Sequence, residues 1–199
     1  MIDYKKASDS LSVEEAALKA VAYTESNVNG FITDSQGNKI PKILFERHIM
    51  FRRLRDFTPI KSKDMAVKYP DIVNEKSGGY KGGLAEHARL QKAVQIDRTT
   101  ALESASWGAF QIMGYHWKTL GYQSIQAFVN DMYTEQGQLD AFVKFIKADK
   151  RLVKALKEKD WTTFARIFNG PAYKKNNYDV RMAQAYEKFS SDVSNESHA

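Results

Sequence analysis

The sequence contains no cysteine among its 199 residues. Disulfide bonds and thiol chemistry are therefore excluded, and the composition is compatible with synthesis in a reducing cytoplasm. No apolar run approaches the length of a membrane span. The first residues are polar and lack the apolar segment of a signal peptide. We therefore expect a protein that is made in the cytoplasm and needs another component to release it.

Sequence patterns typical of metal sites are also absent. There is no His-Glu-x-x-His motif, and no ligand spacing links the histidines, which are His48, His87, His116 and His198. We expect neither a metal nor another cofactor. The chain also lacks internal repeats and low-complexity linkers.

Positive charge is in modest excess. Thirty Lys and Arg against 24 Asp and Glu give a net charge of +6, which favours polyanionic partners. Nucleic acid, anionic lipid and bacterial wall polymers all qualify, and charge alone does not choose among them. With 43% apolar residues, the chain can bury one good core, so we expect a single domain over residues 1–199.

Helical periodicity dominates what the sequence does contain. Apolar or small residues recur at helical spacing over residues 13–24, and Ser12 with Glu15 has the form of a capping box. Glu25 lies four residues after Val21, so its carboxyl is expected at the edge of this apolar face. Apolar surroundings raise the pKa of a carboxyl, which suits a general acid near neutral pH. Glu25 is therefore our candidate catalytic residue.

The segment after this helix predicts a small β-hairpin. Residues 31–33 and 39–40 are short apolar pieces around a turn-rich centre. Residues 43–48 form an extended buried pattern that turns into a short helix. Residues 57–83 look irregular, and four of the eleven glycines fall within residues 77–83. Such enrichment is typical of backbone that passes close to another group, or of a mobile flap.

The rest of the chain predicts further helices. One resumes at Leu84, and others are expected after the N-cap candidates Asp97, Ser124, Asp149 and Asp160. A final amphipathic helix over residues 178–189 precedes a polar tail at 190–199. Residues 106–114 break this pattern, because they are apolar and aromatic between glycines. Their Gln111 looks like a buried amide that needs a partner.

Three separated pieces of the sequence form a set. They are Glu25-Ser26, then residues 108–113 with Gln111, then Phe168-Asn169-Gly170 followed by Tyr173. Their order and spacing resemble the goose-type lysozyme and soluble lytic transglycosylase superfamily. In that superfamily a Glu-Ser, a Gly-x-x-Gln and an aromatic-Asn-x-Gly element surround a sugar cleft.

Longer strings carry a more specific resemblance. Residues 42–48, 104–114 and 160–171 look like the phage endolysin N-acetylmuramidase family, and the likeness runs over about residues 11–189. It implies a mainly α, lysozyme-like fold in which the hairpin forms one wall of the cleft. It also implies hydrolysis of the β-1,4 bond between N-acetylmuramic acid and N-acetylglucosamine in peptidoglycan.

The resemblance also implies roles for particular residues. Glu25 matches the catalytic acid, Gln111 and Asn169 match cleft amides, and Tyr173 matches a cleft aromatic. The alternative for the two amides is that they are satisfied core groups. Endolysins often carry a separate wall-binding domain, and we expect none here. We expect a monomer that binds peptidoglycan strands, binds no nucleic acid and reaches the wall through a holin's membrane lesion.

A second carboxylate could manage the positive charge that develops on the sugar ring. Glu46 and Asp34 are the candidates, because both lie on or beside the predicted hairpin. The alternative for Glu46 is a structural pair with Arg47 or Arg53. A carboxyl separation of roughly 5 to 5.5 Å would indicate a retaining enzyme, and roughly 6.5 to 9.5 Å an inverting one.

Aromatic residues offer further sugar contacts. Tyr80, Tyr115, Trp107, Trp117 and Tyr173 could stack on sugar faces, although any one of them would equally suit a core. Glu103 repeats the Glu-Ser dipeptide of the candidate acid. Its place on a short helix before Trp107 instead predicts a structural or solvated carboxylate.

Residues 144–159 form a basic amphipathic segment, with seven Lys and Arg against two acidic residues. The simpler interpretation is a helix pair with one buried and one solvated side. Our hypothesis is that the segment also docks on lipopolysaccharide, anionic lipid or wall polymer.

Two alternatives to a muramidase remain at this point. A lytic transglycosylase would use the same acid but close its product to a 1,6-anhydro sugar. A non-catalytic cationic protein would instead disturb membranes or bind nucleic acid.

Overall fold

Helices dominate the structure, a computed structural model that describes residues 2–26, 29–171 and 173–196. The helices are α1 (Tyr4–Leu11), α2 (Glu15–Ser26), α3 (Arg47–Phe57), α4 (Ser62–Lys68), α5 (Leu84–Val94), α6 (Arg98–Glu103), α7 (Ile125–Asp131), α8 (Glu135–Ala148), α9 (Lys150–Glu158), α10 (Trp161–Phe168) and α11 (Tyr178–Glu196). The strands are β1 (Phe31–Thr33), β2 (Lys39–Pro41), β3 (Ile43–Phe45), β4 (Ala105–Trp107) and β5 (Ile112–Met113). The mainly α class is confirmed.

The start of the chain differs from the prediction. Asp3 caps α1, a helix that the sequence did not reveal, by accepting a hydrogen bond from the backbone N–H of Lys6 at 2.8 Å. Ser12 is the C-cap of α1 in the left-handed region, with φ of 53°, so its predicted N-cap role is wrong. The backbone carbonyl of Glu14 instead receives the first bonds of α2, from Ala17 and Leu18.

Other N-caps are confirmed. The side chains of Asp97, Ser124, Asp149 and Asp160 each accept a hydrogen bond from a backbone N–H of the first turn that follows. These helix starts could be predicted from the sequence because an N-cap side chain bonds only to the first turn of the helix that follows it.

By its internal contacts the chain divides into two compact units, Met1–Val28 with Glu135–Ala199, and Asn29–Thr134. In the first unit, α2 packs on α11, and α10 packs on both α9 and α11. The apolar face of α2 is buried, including Leu18 and Val21. This packing places the last turn of α2, which carries Glu25, against α10 and α11. The single domain over residues 1–199 stays a prediction.

The second unit contains two small antiparallel sheets. Strands β1 and β2 form the predicted hairpin, with Ile32 opposite Ile40. Strands β3, β4 and β5 form a sheet that the sequence did not reveal, with Ile43 opposite Trp107 and Trp107 opposite Ile112. Residues 106–114 therefore form a tight hairpin on β3. The pairing of β3 with β4 joins segments about 60 residues apart, which local sequence patterns do not reveal.

Two element boundaries also differ from the prediction. The range 57–83, expected to be irregular, contains α4 (Ser62–Lys68). Helix α11 continues through Glu196, so the expected polar tail is helical over 190–196. Residues 197–199 lie outside the described residues.

Candidate active site

Glu25 lies on the last turn of α2, half-buried, at the position where the sequence predicted it. Asn169, the C-cap of α10, donates a hydrogen bond from Nδ2 to Glu25 Oε2 at 2.8 Å. Gly170 follows with φ of 77°, a conformation that glycine adopts without strain and that ends the helix. Two of the three pieces matched in the sequence therefore meet at one carboxyl. The side chain of Ser26 lies outside the described residues.

Burial controls the acidity of Glu25. It raises the pKa of this carboxyl from 4.5 to about 7, while the Asn169 hydrogen bond and the charge of Arg181 act in the opposite direction. Arg181, on α11, also donates to the backbone carbonyl of Thr24 at 3.4 Å. A carboxyl with this pKa is about half protonated at neutral pH. It can therefore donate a proton there, as a general acid must.

Two buried polar atoms at this position have no hydrogen-bond partner within the described part of the chain. They are Glu25 Oε1 and Asn169 Oδ1. Most buried polar atoms in proteins are hydrogen-bonded, and exceptions concentrate where a group has chemical work to do. One oxygen of Glu25 is thus held by Asn169, and the other is buried without a partner in the described part of the chain.

A second cluster of candidate residues lies in the second unit. Glu46 immediately precedes α3, and its Oε2 accepts a hydrogen bond from the Tyr80 hydroxyl at 2.7 Å. His48 Nδ1 lies 3.2 Å from the same oxygen. The side chain of Glu46 keeps 16% of its surface exposed. Its carboxylate is therefore positioned by neighbours yet open to solvent.

The alternative partners considered for Glu46 are engaged elsewhere. Arg47 donates to the backbone carbonyls of Lys76 and Ser77, and Arg53 forms an ion pair with Glu103. Glu103 also accepts a hydrogen bond from Trp117 Nε1 at 2.7 Å. The structural interpretation of Glu103 is confirmed, whereas the proposed structural pairing of Glu46 with either arginine is not observed.

Gln111 lies in the turn between β4 and β5, with φ of 49°. Its Oε1 accepts from the Ser106 hydroxyl, and its Nε2 donates to the Gly108 carbonyl, both at 2.8 Å. The expected partners therefore exist, but the residue is exposed, so the expectation of a buried amide is wrong. Both ends of the amide are therefore bonded within the turn, on an exposed part of the surface.

Three other predicted contacts are contradicted by the structure. Trp107 is 2% exposed and donates from Nε1 to the Leu102 carbonyl, so it is a core residue. Tyr173 is 6% exposed, so it is also buried in the core. Asp34 uses both carboxylate oxygens within its own turn, accepting from Gln36 and Asn38. It organises the β1–β2 turn, and this structural role replaces the expected one of a second carboxylate.

Tyr80 and Tyr115 remain suitable for sugar contacts, because their side chains are exposed by 45% and 36%. The guanidinium of Arg53 lies over the Tyr115 ring, 5.7 Å from its centre.

Sequence reasoning missed two residues of these clusters, Arg181 beside Glu25 and His48 beside Glu46. Arg181 gives no sequence signal, since only the fold brings it to Glu25, whereas His48 lies two residues after Glu46 and could have been considered from the sequence.

The basic segment 144–159 comprises the end of α8 and all of α9. The apolar residues Leu152, Ala155 and Leu156 are buried within the first unit. Arg151 is paired with Asp149. Lys147, Lys150 and Lys157 are exposed. The segment therefore presents charge to solvent, while its apolar face is already covered.

Neither a membrane span nor a metal cluster is found within residues 2–26, 29–171 and 173–196. No helix there is both long and apolar enough to cross a bilayer. No group of three His, Asp or Glu side chains there could hold a metal ion.

Comparison with known proteins gives two matches. A family model described as N-acetylmuramidase matches residues 14–190. The chain is also similar to the crystal structure of the Burkholderia AP3 phage endolysin, with 47% sequence identity and a TM-score of 0.86. That similarity covers 96% of this chain and 70% of the endolysin chain. Among curated proteins no match was found.

Proposed function

This chain belongs to the N-acetylmuramidase family, and we propose that it cleaves the β-1,4 bond between N-acetylmuramic acid and N-acetylglucosamine with Glu25 as general acid. Family membership makes it a lysozyme-type glycoside hydrolase that acts on peptidoglycan in the bacterial cell wall. The non-catalytic alternative is thereby set aside. The observation that carries the proposal is a half-buried carboxyl, held by Asn169, with a pKa of about 7.

The proposed chemistry follows from the two oxygens of this carboxyl. Cleavage of a glycosidic bond requires a proton on the leaving oxygen while positive charge develops on the sugar ring. Asn169 Nδ2 donates to Oε2 of Glu25, so Oε1 is the oxygen that carries the proton to the leaving group. Burial outweighs the Asn169 hydrogen bond and the Arg181 charge, so a large fraction of the carboxyl is protonated at neutral pH and can donate its proton.

Glu46 is our proposed second carboxylate. What supports it is a carboxylate that accepts a hydrogen bond from Tyr80, lies 3.2 Å from His48 Nδ1 and is not paired with the neighbouring arginines. We further propose that Gln111 and Asn169 bind N-acetyl or hydroxyl groups of the glycan, and that Tyr80 and Tyr115 contact sugar faces. The anomeric form of the first product, read by NMR, distinguishes a retaining from an inverting role for Glu46.

Turbidity clearing of purified, lipid-free peptidoglycan tests the assignment of the acid. We expect Glu25→Gln to lower kcat/KM by about 10²- to 10⁴-fold, the usual contribution of a positioned general acid. Glu15→Gln is the matched control on the same helix, because it removes only a carboxylate paired with Lys19 on the helix surface. Full activity of Glu25→Gln would refute the proposed role.

The masses of the products decide between hydrolysis and transglycosylation. A hydrolase adds one water across each cleaved bond, whereas a transglycosylase forms a 1,6-anhydro ring and adds none. We expect products that contain the added water.

We also propose how the protein reaches its substrate. The exposed lysines of the 144–159 segment, together with the net charge of +6, support docking on anionic lipopolysaccharide or lipid. Because Leu152 and Leu156 are buried, this docking is electrostatic and does not insert an apolar helix face. We propose that the protein acts as a monomer and crosses the inner membrane through a holin lesion.

A further inference from the structure

The glycine-rich segment 76–83 carries Tyr80, and its beginning is held by Arg47. The guanidinium of Arg47 donates from Nε to the Lys76 carbonyl at 2.9 Å and from Nη2 to the Ser77 carbonyl at 3.0 Å. A Cβ on Gly79 would lie 3.1 Å from Arg47 Nη1, and Gly79 has φ of 77°. Glycine at this position therefore lets the backbone pass directly over the guanidinium.

The other end of the same segment is held by Glu86. This carboxylate is fully buried, and its Oε1 accepts from the backbone N–H groups of Lys81 at 2.5 Å and Gly82 at 3.1 Å. Its Oε2 accepts from the backbone N–H of Phe45 at 3.0 Å. Phe45 immediately precedes Glu46. One carboxylate thus binds both the segment that carries Tyr80 and the strand that leads into Glu46.

Arg89 completes this arrangement. It pairs with Glu86 Oε2 at 2.8 Å and donates to the Phe45 carbonyl at 3.0 Å and the Asp71 carbonyl at 2.8 Å. Burial raises the pKa of Glu86, but the backbone donors and Arg89 outweigh it, so the pKa lies below its usual value. Glu86 therefore stays ionised at neutral pH, as its role as an acceptor of four hydrogen bonds requires.

We propose that Arg47 and Glu86 are positioning residues that clamp the two ends of segment 76–83, so that the Tyr80 hydroxyl meets the Glu46 carboxylate. A segment with four glycines loses much conformational entropy when it is ordered. The single bond between Tyr80 and Glu46 would not hold it without the two clamps. The inference rests on the proposed function in one respect, that Glu46 and Tyr80 serve peptidoglycan cleavage.

Hydrogen exchange followed by mass spectrometry tests the clamp without reference to activity. We expect Glu86→Gln and Arg47→Ala to accelerate exchange in peptides spanning 76–83 by about 10-fold or more, since both release bonds that order this backbone. Glu75→Gln and Arg52→Ala are matched controls, because they remove exposed charges from the residue just before the segment and from α3. Unchanged exchange in both clamp variants would overturn the proposal.

A double-mutant cycle then tests whether the clamp acts through Tyr80. We expect each clamp variant to lower kcat/KM on peptidoglycan by about 10-fold in the parent, and by less than about 2-fold in a Tyr80→Phe background. A purely structural role predicts the same loss in both backgrounds, and that result would overturn the proposal. So would a Tyr80→Phe variant as active as the parent.

Using two clamp variants keeps the test informative if one of them fails to fold. Arg47 is only partly buried, so Arg47→Ala decides the outcome if Glu86→Gln, which leaves Arg89 buried without its partner, fails to fold. Failure of the proposed function is recognised separately, because it would appear as full activity of Glu25→Gln. The exchange measurement does not depend on that result.

Discussion

At Glu25, burial and hydrogen bonding act on one carboxyl in opposite directions. Burial dominates and raises the pKa to about 7, while the Asn169 amide and the Arg181 charge favour the ionised form. The two opposing groups keep the pKa near neutrality instead of letting it rise further. A general acid is most effective when its pKa lies near the working pH. With Glu25 as the proposed acid, we expect this balance to set the pH range of the enzyme.

Replacing Asn169 tests this balance. Asn169→Leu removes the amide donor and keeps the site apolar, so the Glu25 pKa should rise and the alkaline limb of kcat/KM should move to higher pH. The rate itself should fall by about 10- to 100-fold, since a hydrogen bond to a charged or ionisable group contributes about 1.5–3 kcal/mol.

Arg181→Met is the companion variant, because it removes the second influence that lowers the Glu25 pKa. The alkaline limb of its kcat/KM profile should also move to higher pH. An alkaline limb that stays in place or moves to lower pH in both variants would exclude Glu25 as the titrating acid.

The same pKa predicts a pH-dependent difference in stability. Between pH 4.5 and about 7 the folded state holds the Glu25 proton more tightly than the unfolded state, so the free energy of unfolding falls as pH rises through this window. Glu25→Gln removes the penalty. It should exceed the parent by up to about 3 kcal/mol at pH 8 and match it at pH 4.

Urea unfolding at the two pH values measures this difference, with Glu15→Gln as the control. A stability gain of equal size at pH 4 and pH 8 would show that ionisation of Glu25 is not its cause.

At the scale of elements, the β3–β4–β5 sheet has very short strands. Its stability therefore relies on side-chain hydrogen bonds and close backbone packing in addition to strand pairing. Strand β5 has two residues and β3 and β4 have three each. The edge of β3 at Phe45 is completed by side chains, with Glu86 accepting from its N–H and Arg89 donating to its carbonyl. These bonds do what a further strand would do, and they leave Glu46 at the end of an ordered strand.

Gly114, at the end of β5, shows how tightly these elements approach. A Cβ there would lie 2.2 Å from the Leu102 carbonyl oxygen of α6. Gly114→Ala should therefore lower the free energy of unfolding by at least about 2 kcal/mol through steric overlap, as measured by urea denaturation. Gly121→Ala is the matched control, because φ is 76° there but no heavy atom lies within 4 Å. Its free energy of unfolding should fall by about 1 kcal/mol through backbone strain alone.

If Gly114→Ala proves no more costly than Gly121→Ala, the close contact between β5 and α6 is absent in solution.

At the scale of the whole molecule, we propose that the net charge of +6 and the exposed lysines of segment 144–159 guide the protein to anionic surfaces. Each lysine near such a surface contributes about 1 kcal/mol. The interaction should weaken as salt is added, because the Debye length falls from about 30 Å at 0.01 M to about 8 Å at 0.15 M. An inserted apolar face would be much less sensitive to salt.

Neutralising Lys147, Lys150 and Lys157 together tests the docking surface. The Lys→Gln triple variant should bind lipopolysaccharide-containing vesicles about 100-fold more weakly than the parent at low salt, as measured by co-sedimentation. A second triple variant at Lys39, Lys61 and Lys63 has the same net charge and serves as the control. Equal weakening in both variants would show that total charge, and not this segment, drives binding.

Features that depend on neighbours along the chain could be predicted before the fold was known. Helix periods, the N-caps from Asp97 to Asp160 and the β1–β2 hairpin are local patterns, and each was readable without the fold. Glu25 was also identifiable, because its position on the apolar face of α2 follows from helical spacing and its surrounding strings resemble a family. Ser12 was misread, since the same residue type can end one helix or begin the next.

Which side chains come into contact depends on the tertiary fold and could not be predicted in this way. Asn169 reaches Glu25 across 144 positions of sequence, and Tyr80 reaches Glu46 across 34. Trp107 and Tyr173 carry aromatic signals that fit a sugar site or a core equally well, and burial assigned both to the core. The physical reason is that burial and long-range hydrogen bonds depend on packing in space. They leave no fixed spacing in the sequence.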